Sequence, residues 1–215
     1  MTHVVVFVGG PAGAGKSSIV KHIEKTLDAA THRPHEAFLA VAANRAVPPE
    51  RAFDLEYVPE LEVWATYRRW CEQERLTVAD VHYAIQPTRD SAAGIGADPR
   101  EELWLWEPYV PAYTKEYIRY LEEARIVVGL VLVTAEPNEL VRRLSNRDGG
   151  RARSQRASSM AAELAAEQTY FAELVVATKA PSLRVDNTSL GIEPMLAVVR
   201  DFVERLLPDA SNTPC

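Results

Sequence analysis

The most constraining feature of this chain is one continuous stretch near its start. Val4-Val5-Val6-Phe7-Val8 is an unbroken β-branched and aromatic run that ends at Gly9-Gly10. Apolar side chains at every position, with no polar alternation, are the pattern of a strand buried on both faces, as in a parallel sheet covered by helices. Immediately after it comes Gly10-Pro11-Ala12-Gly13-Ala14-Gly15-Lys16-Ser17, and then Ile19, Val20, Ile23 and Leu27 at helical spacing over about 16–29. Strand, glycine loop and helix in this order form the first half of a βαβ unit and predict an α/β fold.

The loop satisfies the whole G-x-x-x-x-G-K-[ST] pattern, in the strand-to-helix context that gives the pattern its meaning. Gly10, Gly13 and Gly15 allow tight turns and bring main-chain N–H groups against phosphate oxygens, and the following helix adds its N-terminal dipole. Ala14, inside the same cradle, belongs to the nucleotide-binding set. Lys16 is expected to span the β- and γ-phosphates, Ser17 to help hold Mg²⁺, and Ser18 to be a secondary phosphate contact. The loop therefore predicts a nucleoside triphosphate with Mg²⁺ as the bound group.

Composition narrows the partners. The chain has 215 residues, 47% of them hydrophobic, which fits one domain, 1–215, with a sheet between two helical layers. Its net charge of −6, from 30 acidic and 24 basic residues, argues against a general affinity for nucleic acid or an anionic membrane. Cys71 and Cys215 make neither a disulfide framework nor a metal-ligand spacing. Met1-Thr2-His3 leads straight into an apolar run too short for a signal or a membrane span, so a cytoplasmic location is expected. The expected partner is a small phosphoryl acceptor, and a homodimer is compatible with the sequence.

Further along, 37–42 suits a strand or a helix, and Leu61, Trp64, Tyr67, Arg68 and Cys71 predict an amphipathic helix over 61–74 with Trp64 and Tyr67 turned inward. Leu76 to Tyr83 and Ile126 to Val133 read as strands, the latter central and carrying Gly129 for close backbone approach. Helices are expected over 113–124, over 138–144 opened by Pro137, over 160–178 and over 192–207, with a short strand over 183–186. Between them, 86–111 holds four prolines, two glycines and Trp104, Trp106 and Tyr109 without periodicity, and predicts a substrate-side loop.

Two further groups invite a chemical role. Asp80 falls at the end of a strand, where a carboxylate can hold Mg²⁺ or accept a proton, and His82 lies beside it. Arg142, Arg143, Arg147, Arg151 and Arg153 crowd a segment containing Gly149-Gly150, the densest positive feature of an acidic protein. Guanidinium suits phosphate because it donates paired hydrogen bonds while staying charged. Arg143 and Arg147 are the first choices.

The phosphate loop, the arginine-rich 142–153 segment and the terminal Val185-Asp186-Asn187-Thr188 occur in the order found in nucleoside and nucleotide kinases, and the chain resembles that family. The resemblance implies a P-loop fold with three α/β/α layers and a five-stranded parallel sheet. It also implies an arginine-bearing lid, here about 142–156, that closes on the triphosphate. Asp80-Val81-His82-Tyr83 is similar to the Asp-Arg-Tyr segment of thymidylate kinases, with one residue inserted and histidine in the arginine's place. Glu56 and Arg68 fall where such kinases contact the acceptor, with Arg69, Arg75 and Arg89 as further candidates. Ala180-Pro181 and Asn187-Thr188 resemble the loop bordering adenine, where main-chain groups do most of the recognition.

The activity implied is transfer of the γ-phosphoryl group of ATP to a nucleoside, nucleotide or nucleoside-like metabolite, with Lys16, Asp80, Arg143 and Arg147 as the catalytic set. Alternatives are a phosphotransferase acting on the hydroxyl of an antibiotic or metabolite, and an ATPase switch that transfers nothing. The chain has no Asn-Lys-x-Asp pattern to specify guanine.

Overall fold

The computed structural model describes residues 2–48, 51–52, 56–81, 83, 115–147 and 157–208. The expected loop at 86–111, with Trp104, Trp106 and Tyr109, lies outside them, as do His82, Arg89, Arg151, Arg153, Cys215 and the side chain of Arg147.

In chain order the elements are β1 (His3–Gly9), α1 (Lys16–Leu27), β2 (Ala30–Thr31), α2 (Pro34–Asn44), α3 (Glu60–Cys71) and β3 (Leu76–Val81). Then come α4 (Lys115–Glu123), β4 (Ile126–Thr134), α5 (Pro137–Arg147), α6 (Ala157–Thr178), β5 (Ser182–Asp186) and α7 (Ile192–Leu206). The strands form one five-stranded sheet in the order β2-β3-β1-β4-β5, and every pairing is parallel. β1 and β4 read as continuous apolar runs because both their faces are covered, as sheets bounded by helices require.

Two cores follow from the pleat. Val5 and Phe7 point to one face, joining Phe38, Tyr67, Tyr117, Ile118 and Phe171 from α2, α3, α4 and α6. Val4, Val6 and Val8 point to the other, joining Ile19, Ile23, Leu140, Met195 and Phe202 from α1, α5 and α7. Full burial of such a side chain contributes about 1.5–3 kcal/mol relative to exposure, so β1, with all five residues of its apolar run buried, anchors both layers. Gly129 admits α7 closely, for a Cβ there would stand 2.4 Å from Leu206 Cδ1.

Two elements are decided by the tertiary structure. The 37–42 run is helical, inside α2: Pro34 opens the helix, the Arg33 N–H donates to the Glu36 carboxylate at 2.9 Å, and Ala37, Phe38, Val41 and Ala42 form its buried face. The second strand is instead Ala30–Thr31, two residues with no periodicity to reveal them, held by pairing with Thr77 and Val78. No described helix is long and apolar enough to cross a membrane.

The register places the site. Val8 lies opposite Asp80 and Val131, and Gly9 opposite Val81 and Leu132, so β1, β3 and β4 finish at one level. From β1 the chain fills one side of the sheet with β3 and β2 and the other with β4 and β5. The crevice beyond the carboxyl ends of strands at such a switch point is where open α/β sheets bind ligands.

Candidate active site

The loop of residues 10–15 leaves β1 at that switch point and is shaped by what its glycines lack. At Gly10 φ is +140°, and a Cβ would lie 2.0 Å from the Val133 carbonyl oxygen; at Gly15 φ is +112°, and a Cβ would lie 3.1 Å from Asn187 Nδ2. Any L side chain would be strained at either position and would meet its neighbour as well. α1 starts at Lys16 with no side-chain cap and no acidic residue in its first turn. Its positive dipole end is therefore neither capped nor neutralised by a side chain of the helix itself, a condition that favours binding an external anion.

Lys16 Nζ donates to the carbonyl oxygens of Gly10 at 2.6 Å and Pro11 at 3.2 Å, which folds the ammonium across the loop mouth. Ala14 is fully buried, and its carbonyl accepts from Asn187 Nδ2 at 2.9 Å. Ser18 is exposed, with its N–H on the Gly15 carbonyl.

Ser17 and Asp80 come together from positions 63 residues apart, the serine hydroxyl donating to Asp80 Oδ2 at 2.9 Å. Register alone accomplishes this: Asp80 stands at the level of Val8, beside the helix that the loop begins. On its other oxygen Asp80 pairs with Arg33 Nε at 3.1 Å. Arg33 is held from behind, since Tyr67 Oη donates to the His32 carbonyl at 3.0 Å and the His32 ring packs on Trp70.

The arginine-rich segment starts in α5, which lies over the loop; a Cβ on Gly13 would come 3.3 Å from the Leu140 carbonyl oxygen. Arg142 is turned back on Glu139 through contacts of 2.6 and 2.7 Å. Arg143 donates through Nε to Glu139 at 2.7 Å and through Nη2 to the Asn187 carbonyl at 2.6 Å. Those two guanidinium groups, Arg142 first, push the Glu139 carboxyl down to about 2. Arg143 thus braces the β5 end of the crevice, while Arg147 is the last residue of α5.

The loop after β5 carries more than main-chain groups. Asn187 is buried, its N–H donates to the Thr134 carbonyl at 2.8 Å, and its side chain ties this loop to Ala14. Beside it, Thr188 donates its hydroxyl and its N–H to Asp186, whose carboxyl is held below its usual range mainly by that hydroxyl.

Of the acceptor-side candidates, Arg68 lies over the Tyr120 ring and pairs with Glu72, away from Asp80, while Glu56, Arg69 and Arg75 are exposed. Arg33, Glu163 and Glu167 have no place in the sequence motifs, and Tyr83 enters there only as the end of the Asp80-Val81-His82-Tyr83 segment. The Tyr83 ring fills the space that a Cβ on Gly9 would need, with its hydroxyl 2.9 Å from the Phe7 carbonyl and 3.1 Å from that of Val131. Glu167 accepts from the Tyr83 N–H at 2.8 Å and Glu163 from the Ala12 N–H at 2.9 Å. The signal available was an i, i+4 pair of carboxylates in an alanine-rich helix, which any solvated helix face also shows.

No protein-family model and no curated protein sequence matches the chain. Solved structures do. The YorR protein of Bacillus subtilis, in complex with phosphorylated GDP, superposes with a TM-score of 0.55 at 12% identity over 93% of this chain and 95% of that one. TT1252 of Thermus thermophilus gives 0.53 at 16% identity over 97% and 100%. A deoxyadenosine kinase of M. mycoides, with dCMP and dCDP as products, gives 0.51 at 13% identity over 94% and 99%. The chain shares the α/β fold of these structures, a five-stranded parallel sheet between helices.

Proposed function

We propose that the chain is an ATP- and Mg²⁺-dependent kinase that transfers the γ-phosphoryl group to a small acceptor: a nucleoside, a nucleotide or a nucleoside-like metabolite. The observation that carries this reading is the 2.9 Å contact between Ser17 and Asp80 at the start of an uncapped helix. A hydroxyl and a carboxylate side by side at the mouth of a glycine-rich phosphate loop are the protein's share of a Mg²⁺–triphosphate site. Among the described residues no three His, Cys, Asp or Glu side chains converge into a cage, which fits an ion that relies on substrate phosphates for its remaining ligands.

Ser17 and Asp80 would hold the metal, which would supply neutralisation of the triphosphate's charge. The N–H groups of the loop and of the first turn of α1 bind the phosphates and fix their direction, and Lys16 follows the charge that develops on the transferred group. Asn187 and Arg143 keep the loop and the β5 end of the crevice in register. Arg147 and the segment after it supply cations for the lid, whose closure excludes water that would otherwise hydrolyse ATP. The acceptor lies on the β3 side, where Arg33 presents a cation against Asp80.

ADP release measured with a panel of nucleosides, nucleotides and hydroxylated metabolites tests this reading. Acceptor-dependent turnover that Lys16→Ala abolishes is expected. Turnover indifferent to every acceptor would instead indicate an ATPase switch, and wild-type transfer by Lys16→Ala would refute the role of the loop.

A further inference from the structure

α6 meets the end of the sheet through two carboxylates one helical turn apart. Glu167 is wholly buried and accepts from the Tyr83 N–H, where the chain leaves β3. Glu163 is half-buried and accepts from the Ala12 N–H, inside the phosphate loop. Residues four apart share a helix face, so both bonds are made by one rigid surface. Their surroundings differ: Glu167 is sealed in the interior as an anchor, whereas Glu163 is half-buried and holds a main-chain N–H of the phosphate loop itself.

A carboxylate on a loop N–H is an anion in an anion cradle, which is what a phosphate oxygen would be. Two anions cannot share that cradle cheaply, because like charges a few ångströms apart repel strongly at a partly dry site.

We propose that Glu163 is a positioning residue that acts through the Ala12 amide. Its carboxylate holds a loop N–H that a phosphate oxygen would otherwise take, and latches α6 to the loop. The incoming triphosphate displaces the carboxylate from that N–H. The inference rests on the loop binding triphosphate, as argued above, but not on transfer to any acceptor.

The experiment is equilibrium binding of MgATP, and separately of inorganic tripolyphosphate, to wild type, Glu163→Gln and Glu163→Ala, each with a thermal melt. Glutamine keeps the shape and an acceptor oxygen but removes the charge. The expected result is binding about five- to tenfold tighter for both ligands in Glu163→Gln, with a melting temperature close to wild type. Glu163→Ala is expected to bind at least as tightly as wild type while melting lower. A structural tie alone predicts the reverse, with alanine weakening binding and glutamine restoring it; that outcome, or unchanged affinity in Glu163→Gln, overturns the proposal.

Should a variant fail to fold, the wild-type protein decides the matter. The Glu163 carboxyl carbon resonance is expected to move towards that of a solvated glutamate on addition of MgATP, and an unmoved resonance refutes displacement. If wild type bound neither ligand, the phosphate-loop reading itself would fall, an outcome distinct from all of these.

Discussion

Replacing Asn187 by alanine tests how the two ends of the crevice are joined. The Asn187 side chain is buried and spends an N–H on the carbonyl of fully buried Ala14, 173 residues away, at 2.9 Å. Alanine leaves that carbonyl without its partner in a place water does not readily reach, a cost of about 1–3 kcal/mol. In a chain of this length each kcal/mol lowers the melting temperature by about 2–4 °C, so a drop of roughly 4–8 °C is expected from the middle of that range. The main-chain bonds of Asn187 to Arg143 and Thr134 survive the substitution, so the arginine brace stays and the loop alone is loosened. Because the lost bond orients the loop amides, KM for ATP should rise about three- to tenfold with a smaller change in kcat. Differential scanning fluorimetry and steady-state kinetics measure both. A variant that melts within about 1 °C of wild type and keeps its KM would refute the claim that this side chain holds the phosphate loop.

Asp80→Asn keeps the shape beside Ser17 and removes the charge. Activity should fall by about 100-fold or more and the Mg²⁺ concentration needed for half-maximal rate should rise, while stability changes by less than about 1 kcal/mol because the pair with Arg33 is partly exposed. An unchanged Mg²⁺ requirement would exclude Asp80 from the metal site. Cys71 offers a test of the interior: burial pushes its thiol from 9.0 up to about 12, so the folded chain keeps a proton that the unfolded chain releases from pH 9 upwards. The contribution is fully present below pH 9 and is lost as pH rises towards 12. In denaturant titrations, wild type should therefore lose more stability between pH 8 and 10 than Cys71→Ala, and the native thiol should resist iodoacetamide at pH 8.

The sequence by itself determined the elements whose pattern is local. β1 and β4 are apolar at nearly every position because they are buried on both faces, and a run of that kind admits few other structures. The phosphate loop is legible for the same reason, since its glycines, lysine and serine are demanded by main-chain geometry and phosphate chemistry over eight consecutive residues. Asp80 was visible as a carboxylate at a strand end, but its partners were not.

Tertiary structure decided what depends on register and on distant packing. β2 exists only because Thr77 and Val78 hold it, so two residues with no period of their own become a strand. The 37–42 run is apolar enough for either element, and it is helical because Pro34 and Glu36 start a helix whose buried face covers the sheet. The contacts of Ser17 with Asp80, Ala14 with Asn187, and Ala12 with Glu163 join residues 63, 173 and 151 positions apart. No spacing rule reaches across such distances, and only the alignment of the strand ends brings these groups to one loop.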